Sequence, residues 1–256
     1  MMKTAVIYLY SKKLLRSSLS FFLKFSISAL LLLAVALKCG NLLFHPRDEI
    51  SANLTSKGAP VTVVIDPGHG GRDGGAVGND GTLEKELNLA VALKLKAILE
   101  SADIRVVMTR ETDIELASPN SPHKKADDLK TRVQLAQNEP NAVFVSIHMN
   151  NFPIEKYRGL QVYYSENNPE SLKLAQVVQN TAANAMQNTE DRKVKPAGDS
   201  IYLMSHLEIP AILVECGFLS NPKECALLKN EKYQKKLALT ISVALLDYLS
   251  DTNSSN

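Results

Sequence analysis

The chain has 256 residues, 45% hydrophobic and 22% charged, which is enough for one globular core with an appendage and excludes disordered or collagen-like polymers. Three cysteines (Cys39, Cys216, Cys225) without a C-x-x-C pair exclude a disulfide scaffold and a four-cysteine zinc cluster. Residues 1–50 hold seven Lys/Arg against two acids, leaving 22 basic and 25 acidic residues beyond, a slightly acidic body without an electrostatic footprint for nucleic acid.

The chain begins with a basic stretch (Lys12, Lys13, Arg16, Lys24) followed by the uncharged run Phe25–Leu37 and the triplet Ala34-Val35-Ala36. Basic, then apolar, then small residues is the pattern of a signal peptide, and extension back to Phe21 reaches the roughly 20 residues of a membrane anchor. Residues 1–40 are therefore read as a signal peptide or retained anchor that carries the remainder across the cytoplasmic membrane, to act in secreted or membrane-anchored form. Residues 41–58 are mixed and turn-rich, a linker; 59–250 form the domain; 251–256 are a polar tail.

Within the domain, Val61–Asp66 is a β-branched run stopped by Pro67-Gly68, a buried strand. Glu84–Glu100 has helical periodicity, with Leu87, Val91, Leu95 and Ile98 on one stripe. Ile104–Met108 reads as a strand, Ala126–Asn138 as a helix, Ala142–Ile147 and Leu160–Tyr164 as strands. Ser171–Gln187 is a helix, Ala211–Val214 a strand and Tyr233–Leu249 a closing amphipathic helix. This alternation predicts a single α/β domain with a largely parallel or mixed sheet.

Open α/β sheets collect their sites at the carboxyl ends of strands, and three such ends carry reactive side chains. His69 follows VTVVID within a glycine-rich loop, His148 follows AVFVSI, and Glu215 follows AILV. A lone loop histidine is most often a solvated side chain, and a histidine at a strand end is as often a satisfied rim residue. A carboxylate directly after four apolar residues must pair, bind metal or take up a proton. The loop has neither G-x-G-x-x-G nor a P-loop signature, which argues against nucleotide. On the first helix, the 100° step per residue sets Glu84 on the apolar stripe beside the His69 loop and turns Glu86 nearly opposite. Two histidines and one glutamate from separate elements make a three-ligand catalytic zinc site, one Zn²⁺ per chain held by His69, Glu84 and His148. Glu215 is then the second carboxylate, available for acid–base work. Cys216, its neighbour on a strand, points to the other face and reads as a small buried hydrophobe. His45, His123 and His206 read as surface residues.

Four motifs taken in order, VIDPGHGGRDGGA, EKELNLAVAL, SIHMN and AILVECGFLSNP, resemble the zinc-dependent N-acetylmuramoyl-L-alanine amidases of the family-3 type over about Val61–Leu249. The resemblance implies His69, Glu84 and His148 as zinc ligands and Glu215 as the catalytic glutamate. It also implies a twisted sheet of about six strands with helices on both faces. The segment Glu115–Arg132 after Met108-Thr109-Arg110, the run Ile201–Met204 and the basic N-terminus are similar to the germination-specific spore-cortex amidases. That likeness implies removal of the stem peptide from muramic acid ahead of muramic-δ-lactam formation. The partners implied are peptidoglycan glycan strands with their stem peptides, the membrane through the N-terminal segment, and an activator protein. A zinc peptidase cutting within the stem peptide would use the same residues, and a catalytically silent wall-binding protein is the rival of another class.

Overall fold

The computed structural model describes residues 61–186 and 192–254. The signal or anchor segment, the linker, Cys39 and His45 lie outside the described residues. Among the described residues, no helix is long and apolar enough to cross a membrane.

Six strands form one sheet: β1 (Thr62–Pro67), β2 (Arg105–Met108), β3 (Ala142–Asn150), β4 (Gln161–Tyr164), β5 (Lys195–Pro196) and β6 (Ala211–Phe218). Their spatial order is β2-β1-β3-β6-β4-β5. β2, β1, β3 and β6 run parallel, while β4 pairs antiparallel with β6 and parallel with β5, so the sheet is mixed. β1, the central β3 and most of β6 are buried along their length, as expected of strands covered on both faces.

Alternation of side chains divides the core in two. Val63, Ile65, Val145, Ile147, Ile212 and Val214 pack beneath α1 (Glu84–Ser101), α3 (Glu170–Ala185) and α6 (Glu231–Ser254). Val64, Phe144 and Leu213 pack on the other face beneath α2 (Lys124–Gln137) and the short α4 (Tyr202–His206). Helices therefore lie on both faces, as the family resemblance implies. Local chemistry starts and stops these elements: α5 (Pro222–Leu228) has Pro at its first position, and Asn221 Oδ1 accepts from the amides of Lys223 and Glu224.

The structure departs from the sequence reading at several ends. β3 and β6 run past Ile147 and Val214, so His148 and Glu215 lie inside strands, with a pairing irregularity between His148 and Asn150 that turns the chain at the site. α6 continues to Ser254, through most of the stretch read as a tail. β5, α4 and α5 have two, five and seven residues, too few for a periodicity to register.

Candidate active site

β1, β3 and β6 end side by side, and the α1 N-terminus sits against them. The loop after β1 folds back through Gly68, whose amide donates to Ile147 O (3.0 Å). His69 adopts φ 63°, a left-handed conformation that a non-glycine residue holds only when its surroundings fix it. Glu84 opens α1 without a side-chain cap, and Glu86 is exposed, as the helical phase requires.

The Glu84 carboxylate is 4% exposed and fully engaged. Oε2 accepts from Ala76 N (2.8 Å) and lies 3.2 Å from His69 Nε2. Oε1 accepts from Met149 N (3.1 Å) and Asn88 Nδ2 (3.2 Å), and lies 2.9 Å from His148 Nδ1. Burial pushes the carboxyl up, but the hydrogen bonds and charges of His148 and His69 outweigh it and hold Glu84 well below the usual carboxylate range. The two imidazole rings meet edge to face, centroids 4.9 Å apart. His69 Nδ1 lies 3.0 Å from Asp73 Oδ2, within charge-pairing distance.

This cluster needs the glycines around it. A Cβ on Gly68 would fall 2.1 Å from His148 Nε2, and one on Gly75 would fall 2.6 Å from Glu84 Oε2. Both positions are kept bare so that backbone and ligand-type side chains can close on one another.

Glu215 stands directly beside His148 in the parallel β3–β6 register and opposite Gln161 of β4. Burial is the main influence on its carboxyl and pushes it up to about 7, with the Glu84 charge adding to the shift and the two histidines opposing it. Its Oε2 is a buried oxygen without a hydrogen-bond partner among the described residues. Cys216 is fully buried on the opposite face of β6, where burial raises its thiol far above the reactive range. His123 and His206 are exposed, and neither belongs to the convergent set.

His69, Glu84 and His148 offer ligand atoms that all lie within 4.8 Å of one another. Two imidazoles and an ionised carboxylate are the donor set of catalytic zinc, and Glu215, with its orphaned oxygen, stands beside His148 on β6. The residues fit a divalent metal. Sequence reasoning missed what surrounds this set: Asp73, Asn88, Arg110 and Arg132 hold the loop and the glutamate. Only the polar residue types at helical spacing, Asn88 one turn after Glu84 and Arg132 one turn after Asp128, gave any signal.

The model of the Amidase_3 family, N-acetylmuramoyl-L-alanine amidase, matches residues 63–247. The chain belongs to this family. The amidase is similar to the germination-specific N-acetylmuramoyl-L-alanine amidase of Bacillus subtilis (strain 168), 38% identical over 192 residues, covering 74% of this chain and 80% of that protein. Among solved structures, the CwlD amidase of Clostridioides difficile, in complex with the GerS lipoprotein, superposes with a TM-score of 0.71 at 41% identity, covering 74% of this chain and 98% of that one. The catalytic domain of the amidase CwlV from Bacillus (Paenibacillus) polymyxa var. colistinus gives 0.65 at 36% identity, with 75% and 98% covered. The protein is thus an enzyme, a peptidoglycan amidase, and its substrate places its work outside the cytoplasm.

Proposed function

We propose that this amidase is zinc-dependent, holds the metal through His69, Glu84 and His148, and hydrolyses the amide between the lactyl group of N-acetylmuramic acid and L-alanine. The observation that carries the reading is the convergence of three ligand atoms within 4.8 Å beside the half-buried Glu215, whose carboxylate has one buried, bare oxygen. When bound, zinc polarises the scissile carbonyl and acidifies water. The protein's own groups supply the remainder. Asn88 and the amides of Ala76 and Met149 keep Glu84 ionised and aimed between the imidazoles. Glu215 is the general base: its bare oxygen accepts a proton from the attacking water and returns it to the departing amine, a task suited to a carboxyl raised towards neutrality. Purified peptidoglycan digested by the enzyme is expected to yield free stem peptides beginning with L-alanine and glycan with free lactyl carboxylates, read by mass spectrometry. Cleavage within the stem peptide would instead identify a zinc peptidase.

The relationship to the germination-specific amidase of B. subtilis supports a role in the spore cortex, preparing muramic acid for δ-lactam formation. Deleting the gene is expected to remove muramic-δ-lactam while spores still form, and unchanged lactam would leave a general wall amidase. That the C. difficile neighbour is seen in complex with a lipoprotein supports a protein partner for this chain, in the role of activator. The apolar run Phe25–Leu37 supports delivery across the membrane as a signal or an anchor.

A further inference from the structure

The segment Glu115–Arg132 joins β2 to the body of α2 and contributes no side chain to the reacting centre, yet it grips the His69 loop at three points. Arg132, 2% exposed, donates Nη2 to His69 O (2.7 Å) and Nη1 to Pro67 O (2.9 Å), fixing the main chain on both sides of Gly68. Lys125 Nζ pairs with Asp73 Oδ2, the same oxygen that lies 3.0 Å from His69 Nδ1. Glu115 Oε2 accepts from Arg72 Nε (3.1 Å). The segment is also closed on itself. Leu116 N donates to Asp128 Oδ1 (2.6 Å), Asp128 Oδ2 accepts from Arg132 Nε (2.7 Å), and Lys124 Nζ donates to the other oxygen of Glu115 (3.0 Å). These bonds tie Glu115, Leu116, Lys124, Asp128 and Arg132 together, and the segment's grips act where His69 most needs support, at a residue with φ 63°.

We propose that Glu115–Arg132 is a bracket that sets metal affinity, with Arg132 positioning the His69 main chain and Lys125 positioning its ring through Asp73. This rests on the metal reading above. A His69 without the bracket relaxes towards an ordinary φ, its Nε2 swings from the Glu84–His148 cluster, and one donor is lost. Neither Arg132 nor Lys125 belongs to the convergent donor set of His69, Glu84 and His148, and both act on it through other groups, so both are positioning residues.

The test is the zinc dissociation constant, measured by chelator competition on the full chain, together with the melting temperature of the metal-stripped protein. Arg132→Lys keeps the charge beside Asp66 but cannot span both carbonyls, and is expected to weaken zinc about 10–100-fold, the usual worth of groups that orient ligands. Lys125 is 61% exposed, so Lys125→Ala folds irrespective of the first variant. It is expected to weaken zinc about two- to fivefold, the scale of an exposed ion pair, with the stripped melting temperature unchanged and recovery in Lys125→Arg. The sign is diagnostic, because removing a cation near a dication tightens binding when charge alone matters. Zinc bound by Lys125→Ala as tightly as by wild type, or tighter, overturns the bracket even where Arg132→Lys does not fold. His69→Ala separates the two readings: if it too retains wild-type zinc affinity, the metal site itself is wrong. If it loses zinc while the bracket variants do not, only the bracket falls.

Discussion

Glu84 and Glu215 are carboxylates at the same end of one sheet, and their surroundings drive their chemistry apart. Glu84 is saturated by two main-chain amides, Asn88 and two imidazoles, and stays ionised. Glu215 has a bare oxygen and a carboxyl pushed up to about 7 by burial. Separation of two acids by environment is how a site obtains a fixed anion and a proton acceptor together. Glu215→Gln keeps the size and hydrogen-bonding capacity but not the basicity. It should leave zinc content and melting temperature near wild type while turnover falls roughly 10²–10⁴-fold, the usual worth of a general base. Loss of metal in that variant would make Glu215 a ligand, and retained turnover would remove it from the reaction. Gly75→Ala is expected to act on metal first. Its φ of +70° costs an alanine about 1–2 kcal/mol, and the added Cβ would press on Glu84 Oε2. Elemental analysis should show substoichiometric zinc in the folded protein, and full occupancy would show that Glu84 tolerates displacement.

At the scale of elements, β1 and α2 are joined by a buried ion pair that the strand pattern does not announce. Asp66 is fully buried and bonded to Arg132 Nη1 (2.7 Å), Thr109 Oγ1 (2.6 Å) and Ser146 Oγ (2.7 Å). Burial pushes its carboxyl up, yet the Arg132 guanidinium and the two hydroxyls outweigh it, so Asp66 stays below the usual carboxylate range. A folded value below the unfolded one stabilises the fold above the unfolded value of about 4, and the contribution is lost as pH falls through the lower folded value. Melting temperature measured between pH 6 and 2 should therefore drop steeply at the acid end. Asp66→Asn should be destabilised by about 3–5 kcal/mol at neutral pH, with a shallower acid slope. An unchanged slope would mean that other carboxylates govern acid unfolding. The polar ends of β1, β3 and β6 were legible because a histidine or glutamate after an apolar run is conspicuous. The network beneath them was not, because Asp66 and Arg132 stand 66 residues apart and neither interrupts a local pattern. β5 and α4 were missed for another reason, since two and five residues carry no period and their place is set by tertiary packing alone.

For the whole molecule, strand–helix alternation predicts the α/β domain and its largely parallel or mixed sheet, and the family resemblance implies the helices on both faces, whereas the strand order and the antiparallel insertion of β4 beside β6 left no mark in the sequence. A fragment beginning at Gly58 should fold and remain soluble without the first 57 residues, as judged by circular dichroism and gel filtration. Aggregation rescued by residues 41–57 would assign the linker to the domain. The strand order has a further consequence, for the time course of folding. His148 meets Glu84 across 64 residues of chain, and only after β3 has docked on β1. Such distant closures are the slow events of folding, so no early, local intermediate owns a complete binding set. Metal capture becomes a clock that starts when the sheet is assembled. On refolding from denaturant, zinc uptake should never precede recovery of far-ultraviolet ellipticity, and a chain stalled before β3 docks should leave the ion in solution.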